Sequence, residues 1–434
     1  MAVNTGQLGG SMLIEFSVSN YRSVSSTQAI SMAAGSSSDV RRHYSFETGH
    51  RTVPYVLKAV GIYGANGTGK SNIISAFHFM RRFIIGSAKE LQSGDLIDVN
   101  NFAFDVDGED GKSHFEIVFL SSGNRYQYGF VVDKNKVWEE WLYVSPNEGR
   151  VQRWFERLYN ESIDDYEWYI NQNIKGQKEI WKASTRKNAL FLSTAVQLNA
   201  DYFNDAFDWF KIKLRVLQHF IDMTPHTARR CRSPEFSKKV VRFLNEIDID
   251  VQEIRVDEKD FPESSLSIFV ESFKENLRKF TNSKMSDVFF GRKNKTGKMV
   301  YLPLSEESDG TQRIFSLASA IIETLENGYV LIIDEPSNNL HSLAFQHLIS
   351  LFYRSDMNRG LGQILFTSHE AGIMIHRLLH HDQIYLTEKD ENFATQIYPL
   401  SSFKIRKNDA IHKSYLAGRY GGIPHIRGVE EYEE

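Results

Sequence analysis

The chain has 434 residues, 41% of them hydrophobic and 24% charged, with a net charge of −4. This composition suits a globular chain of two or three domains, and a near-neutral balance neither demands nor excludes nucleic acid. One cysteine, Cys231, excludes an intrachain disulfide and fits a reducing, cytoplasmic setting, and no apolar run reaches the roughly 18 residues of a membrane span.

Residues 1–11 carry neither charge nor an apolar stretch, so they read as a disordered leader rather than a signal peptide. In residues 13–19, Ile14, Phe16 and Val18 alternate with polar neighbours, which predicts a strand. Ala59–Tyr63 predicts a short strand running into a glycine loop, and Ile73, Ile74, Phe77, Met80 and Phe83 predict a helix over 71–84. Strands over 114–120, 126–132 and 137–144, separated by turn-prone residues, read as an antiparallel meander. These elements make 12–183 an N-terminal lobe. Residues 184–292 read as a mainly helical insert, with helical patterns at 203–222, 235–247 and 267–280 and basic clusters that include Arg229, Arg230 and Arg232. From 293 to 434 strand and helix alternate again, a return to an α/β layer.

Gly64 to Ser71 (GANGTGKS) fits G-x-x-x-x-G-K-[ST] in full and sits between a strand and a helix, the context a phosphate-binding loop requires. The glycines let backbone N–H groups face phosphates, Lys70 reaches the β- and γ-phosphates, and Ser71 offers its hydroxyl to Mg²⁺. The nucleotide-contacting set is Asn66, Gly67, Thr68, Gly69, Lys70, Ser71 and Asn72. Tyr329–Ile333 is an apolar strand ending in Asp334 and Glu335. Asp334 is the second Mg²⁺ ligand, and Glu335 is placed to take a proton from an attacking water.

Many nucleotide hydrolases share those two motifs. Glu307-Ser308-Asp309-Gly310-Thr311-Gln312-Arg313, followed by an apolar helical run, resembles the signature of ABC ATPases in the variant carried by SMC-like and RecF-like heads. It departs from the commoner LSGGQ at Asp309 and Thr311. The resemblance implies an ABC-type α/β P-loop head with a helical insert. Ser308, Gly310 and Gln312 then serve ATP held by a second protomer, so that ATP joins two heads. Ser337–His341 stands where that family carries its D-loop, and His369, after the strand Ile364–Thr367, matches its γ-phosphate-sensing histidine. Asn20-Tyr21-Arg22-Ser23 resembles the N-[FY]-[RK]-S opening of such heads, which brings Arg22 and Ser23 toward the adenine or ribose. The family's Q-loop is not placed: Gln127 is one option, and a surface strand residue is the other reading.

With the tail residues 381–390 and 415–424, the chain resembles bacterial AAA15-type ATPases of the RloA/AbiLi-like anti-phage group. That resemblance implies cofactors ATP and Mg²⁺, a homo-oligomer, and a TOPRIM-type nuclease partner controlled on infection. The tail reads equally as plain packing or as a partner-docking surface. DNA contact through Arg229, Arg230 and Arg232 stands beside a merely solvated basic face. His380–His381 reads as a surface pair, and no Cys/His zinc spacing occurs. No acidic cluster of the nuclease sort follows His369. A RecF/SMC-like DNA repair ATPase and an ATP-bound scaffold with little turnover are the alternatives.

Overall fold

Six consecutive buried residues, Ala59–Gly64, have no polar face to offer solvent, so their strand needs cover on both sides. The computed structural model of the protein describes residues 10–104, 111–218, 221–259, 285–370, 372–375, 378–405 and 410–423. Residues 1–9 of the expected leader and the expected helix at 267–280 lie outside them. In chain order the strands are β1 (Met12–Ser19), β2 (Gln28–Ser31), β3 (Ser45–His50), β4 (Val53–Leu57), β5 (Ala59–Gly64), β6 (Ser113–Ser121), β7 (Asn124–Val132), β8 (Val137–Pro146) and β9 (Gln152–Asn160). They continue with β10 (Asp165–Ile170), β11 (Leu214–Leu217), β12 (Glu253–Lys259), β13 (Met285–Lys293), β14 (Met299–Pro303), β15 (Val330–Ile333), β16 (Gln363–Ser368), β17 (Ile384–Lys389) and β18 (Thr395–Pro399).

The chain forms two compact units. The first comprises Met1–His219, Thr324–Pro336 and Leu348–Glu434; the second comprises Phe220–Glu323 and Ser337–His347. The first holds a seven-stranded sheet, β10-β9-β8-β7-β6-β1-β2, and a six-stranded sheet, β11-β15-β16-β5-β17-β18. Every pairing in the seven-stranded sheet is antiparallel, and β6, β7 and β8 form the expected three-stranded meander within it. In the six-stranded sheet β11, β15, β16, β5 and β17 are parallel, and β18 closes the edge antiparallel.

Helix α1 (Lys70–Glu90) supplies much of the cover for β5. Its Ile73, Ile74, Phe77, Met80 and Ile84 are buried, and the Phe77 ring stacks on Phe16 of β1 at 3.7 Å. Each such burial contributes about 1.5–3 kcal/mol. The helix outruns the expected 71–84 because its last turns are held by tertiary bonds. Ser193 Oγ donates to the Ile84 carbonyl, and Ser87 Oγ accepts from the Leu190 N–H at 3.1 Å.

The stretch 203–222, expected as one helix, is broken up. A 3-10 turn (Asp201–Phe203), one helical turn (Asn204–Asp208) and a π turn (Trp209–Lys213) lead into β11, which pairs parallel with β15, Val216 opposite Ile332. The aromatic spacing that suggests a helix instead serves burial: Trp209 stacks on Phe119 at 4.2 Å, and Phe210 meets the same ring edge-on. Leu214 and Val216 then complete a sheet edge, and tertiary pairing overrides local periodicity.

In the second unit β12, β13 and β14 form an antiparallel sheet, so β12 and most of β13 join β11 inside the stretch read as mainly helical. Helices Thr224–Cys231 and Pro234–Asn245 lie in the same unit. Among the described residues no helix is long and apolar enough to cross a membrane.

Candidate nucleotide-binding site

Parallel strands end on one edge, and that edge gathers the predicted residues of the first unit. β5 runs into the glycine loop, β15 into Asp334 and Glu335, and β16 into His369. Gly69 adopts φ +103°, and a Cβ there would collide with the Thr395 and Ser23 hydroxyls, so the position requires glycine. Thr68 Oγ donates to the Ala65 carbonyl at 2.9 Å, and Thr395 Oγ donates to the Thr68 carbonyl at 2.8 Å. Asn66 and Gly67, by contrast, are exposed at the loop tip.

Lys70 is buried, and its ammonium donates to the carbonyls of Gly64 at 2.8 Å and Ala65 at 3.0 Å. Burial pushes its pKa below the usual lysine range, while Glu335 and Asp334 pull it back up. Ser71 stands exposed in the first turn of α1, and Asn72 Nδ2 donates to Ser23 Oγ at 2.6 Å. Asp334 is buried, with one carboxylate oxygen accepting from Thr367 Oγ at 2.6 Å. The Glu335 N–H donates to the same hydroxyl at 2.9 Å. Glu335 takes φ +46°, a left-handed conformation costly for a residue with a Cβ and one that gathers at functional sites. Its Oε1 lies 3.7 Å from His369 Nδ1.

Three residues escape a reading by motif. Thr367 ties Asp334 to Glu335, and its place just before Ser368-His369 is the signal that could have found it. Thr395 braces the loop from near the other end of the chain, with no sequence signal. Gln218 closes β11 beside the Asp334 strand, and its Nε2 donates to Ser75 Oγ at 3.3 Å. Arg22, at φ +51°, donates to the same oxygen at 3.2 Å. Ser75 is one helical turn past Ser71, so Gln218 and Arg22 both stand over the start of α1. Gln127 is instead a mid-strand residue of β7 that donates to Glu116 at 3.0 Å.

The remaining predicted residues belong to the second unit. Ser308 is exposed and caps the helix Asp309–Asn327: its Oγ accepts from the Thr311 N–H at 3.2 Å. Gly310 passes so close to the Asn339 carbonyl that a Cβ would lie 2.6 Å from it, and Gln312 Nε2 donates to the Glu307 carbonyl at 2.8 Å. Two arginines of the basic cluster are occupied within the unit. Arg230 pairs with Glu323 at 2.6 Å, and Arg232 pairs with Glu258; Arg229 is exposed.

In the first unit's tail Tyr415 and Tyr420 are buried, and Tyr415 donates to the Gly422 carbonyl at 3.2 Å, so these residues pack. His380 is half-buried rather than a surface residue: its Nδ1 accepts the Asp382 N–H and caps a 3-10 turn. With His381 and Asp382 it brings ligand-type atoms within 4.8 Å of one another.

Residues 59–374 match the family described as "AAA domain, putative AbiEii toxin, Type IV TA system". No curated protein matches the chain. Among solved structures it is similar to an SMC head domain from Thermotoga maritima, at 13% identity over 91% of this chain and 99% of that one, TM-score 0.41. An SMC head bound to the C-winged helix domain of ScpA is similar at 11% identity over 89% and 96%, TM-score 0.39. The recombination mediator protein RecF is similar at 14% identity over 90% and 99%, TM-score 0.36. These are distant likenesses and carry no weight of their own. The family match spans most of the chain and contains the glycine loop, Asp334, Glu335 and His369: the chain belongs to this AAA-domain family, a mixed α/β P-loop ATPase fold.

Proposed function

We propose that the protein is a Mg²⁺-dependent ATPase that hydrolyses ATP to ADP and phosphate, with its complete site shared between two copies. One observation carries this reading: Lys70, Asp334, Glu335 and His369 meet at one sheet edge, with Glu335 and His369 3.7 Å apart. The loop amides and Lys70 bind the phosphates. Ser71 and Asp334 are hard oxygen donors suited to hold Mg²⁺, which when bound neutralises charge on the phosphate oxygens. Glu335 orients the attacking water and accepts its proton, and His369 beside it senses the γ-phosphate. Gln218, at the end of β11, takes the position for which Gln127 is an option by sequence. Ser308, Gly310 and Gln312 serve the nucleotide of the other copy: an exposed helix N-terminus with its glycine attracts a phosphate.

Glu335→Gln tests the assignment. Hydrolysis slows by about 10²–10⁴-fold while ATP stays bound; turnover at the wild-type rate would remove Glu335 from the chemistry.

The output of the cycle is control of an effector, in the manner of the RloA/AbiLi-like group with its TOPRIM-type nuclease. The family's description names a putative toxin of a Type IV TA system. A RecF-like role in DNA repair needs phosphate contacts, and within the cluster of Arg229, Arg230 and Arg232 the last two are paired with Glu323 and Glu258. ATP-dependent binding to gapped DNA without a protein partner would favour that second role.

A further inference from the structure

Phe104 and Phe393 are each 61% exposed, an uncommon condition for adjacent large apolar rings. Their centroids lie 5.5 Å apart, and Phe102 continues the group at 5.7 Å from Phe104. Phe393 sits on the turn between β17 and β18 with φ +62°, a strained conformation for a bulky residue. The turn is held rigid: Phe393 N–H donates to the Asp390 carbonyl at 3.1 Å, Asp390 Oδ1 accepts the Ala394 N–H at 2.8 Å, and Lys389 Nζ donates to the Phe393 carbonyl at 2.6 Å. The backbone that carries the ring is therefore held in place.

The chain on either side of the pair is tied to the turn after β1, through Phe102 beside Phe104 and through Thr395 two residues past Phe393. The Phe102 N–H donates to Asn20 Oδ1 at 3.0 Å, and the Arg22 N–H donates to the Asn100 carbonyl at 2.7 Å. On the other side the Thr395 N–H donates to the Ser23 carbonyl at 2.7 Å. Ser23 Oγ in turn accepts from Asn72 in the first turn of α1. The residues flanking Ser23 thus border the first turn of α1, beside the loop that would hold the phosphates. Two aromatic rings also make a patch far smaller than the roughly 800 Å² per partner of a stable protein interface. They match one bicyclic base.

We propose that Phe393 and Phe104 form the stacking platform for the purine of the nucleotide whose phosphates the glycine loop holds. The inference rests on the nucleotide reading above. The test compares equilibrium binding of ATP and of inorganic tripolyphosphate, which has no base. Phe393→Ala weakens ATP about tenfold and leaves tripolyphosphate unchanged, whereas Phe393→Tyr keeps wild-type affinity for both. Unchanged ATP affinity in Phe393→Ala overturns the platform, as does a parallel loss of both ligands, which would mean that the turn acts on the loop and not on the base. ATP binding lost in Phe393→Tyr overturns it too. A wild-type protein that binds neither ligand overturns the nucleotide reading and the platform with it.

Discussion

Two buried cations in the first unit are treated in opposite ways. Arg157, on β9, is buried and bonded to Glu140 of β8 at 2.9 Å. Glu140 also accepts from the Tyr128 hydroxyl and from the N–H groups of Phe191 and Leu192, at 2.9, 2.6 and 3.0 Å. Two of those donors belong to the start of the helix Phe191–Gln197, so one carboxylate joins the meander to that helix and offsets its dipole. Lys70 is buried too, yet it rests on two carbonyls of its own loop, contacts that a phosphate can replace. A buried cation paired with a buried carboxylate joins two elements of the structure, and one held only by neutral carbonyls of its own loop fits the phosphate-binding role proposed above.

The largest effect that could break this contrast is on folding. Glu140→Ala strands Arg157 in the core and lowers unfolding stability by about 3–5 kcal/mol, measured by urea denaturation. The double substitution Glu140→Leu with Arg157→Met recovers most of that loss, because no charge remains to be buried alone. A small loss in the single variant would mean that the pair is not the joint described here.

Lys70→Ala behaves in the reverse manner. ATP affinity falls about 10–100-fold by equilibrium binding, the range for a hydrogen bond to a charged group. The ligand-free Tm holds or rises, since a desolvated cation has been removed. A Tm loss as large as that of Glu140→Ala would erase the distinction.

The smallest effect concerns Cys231. Burial pushes its thiol up to about 12, so it belongs with the structural groups. At pH 8 a thiol reagent labels the unfolded chain and leaves the native one almost untouched. The sign of the linkage follows: the stability this thiol contributes is present below the unfolded value of about 8.5 and is lost as pH rises from there toward the folded value. Rapid labelling of native protein would place Cys231 at an open site.

The site is legible in the sequence wherever its chemistry is contiguous. Gly64–Ser71 has to be continuous because successive backbone amides surround one phosphate chain. Asp334 and Glu335 follow an apolar strand because a buried strand end is what aims them. Strands β6 to β8 announce themselves by alternation and short turns. What stayed hidden is set by partners far along the chain. Gln218 is concealed in an aromatic pattern that reads as a helix, and only the pairing of β11 with β15 turns that stretch into a strand end.

The sequence by itself determined the phosphate loop, the carboxylate pair and the meander, because local backbone geometry and side-chain period dictate each. Only the tertiary structure decided that Thr367 joins Asp334 to Glu335, that Arg230 and Arg232 are already paired, and that Ser23 and Thr395 meet beside Gly69. Those outcomes turn on which distant side chains the folded sheets bring within hydrogen-bond reach, a matter of packing that no local pattern encodes.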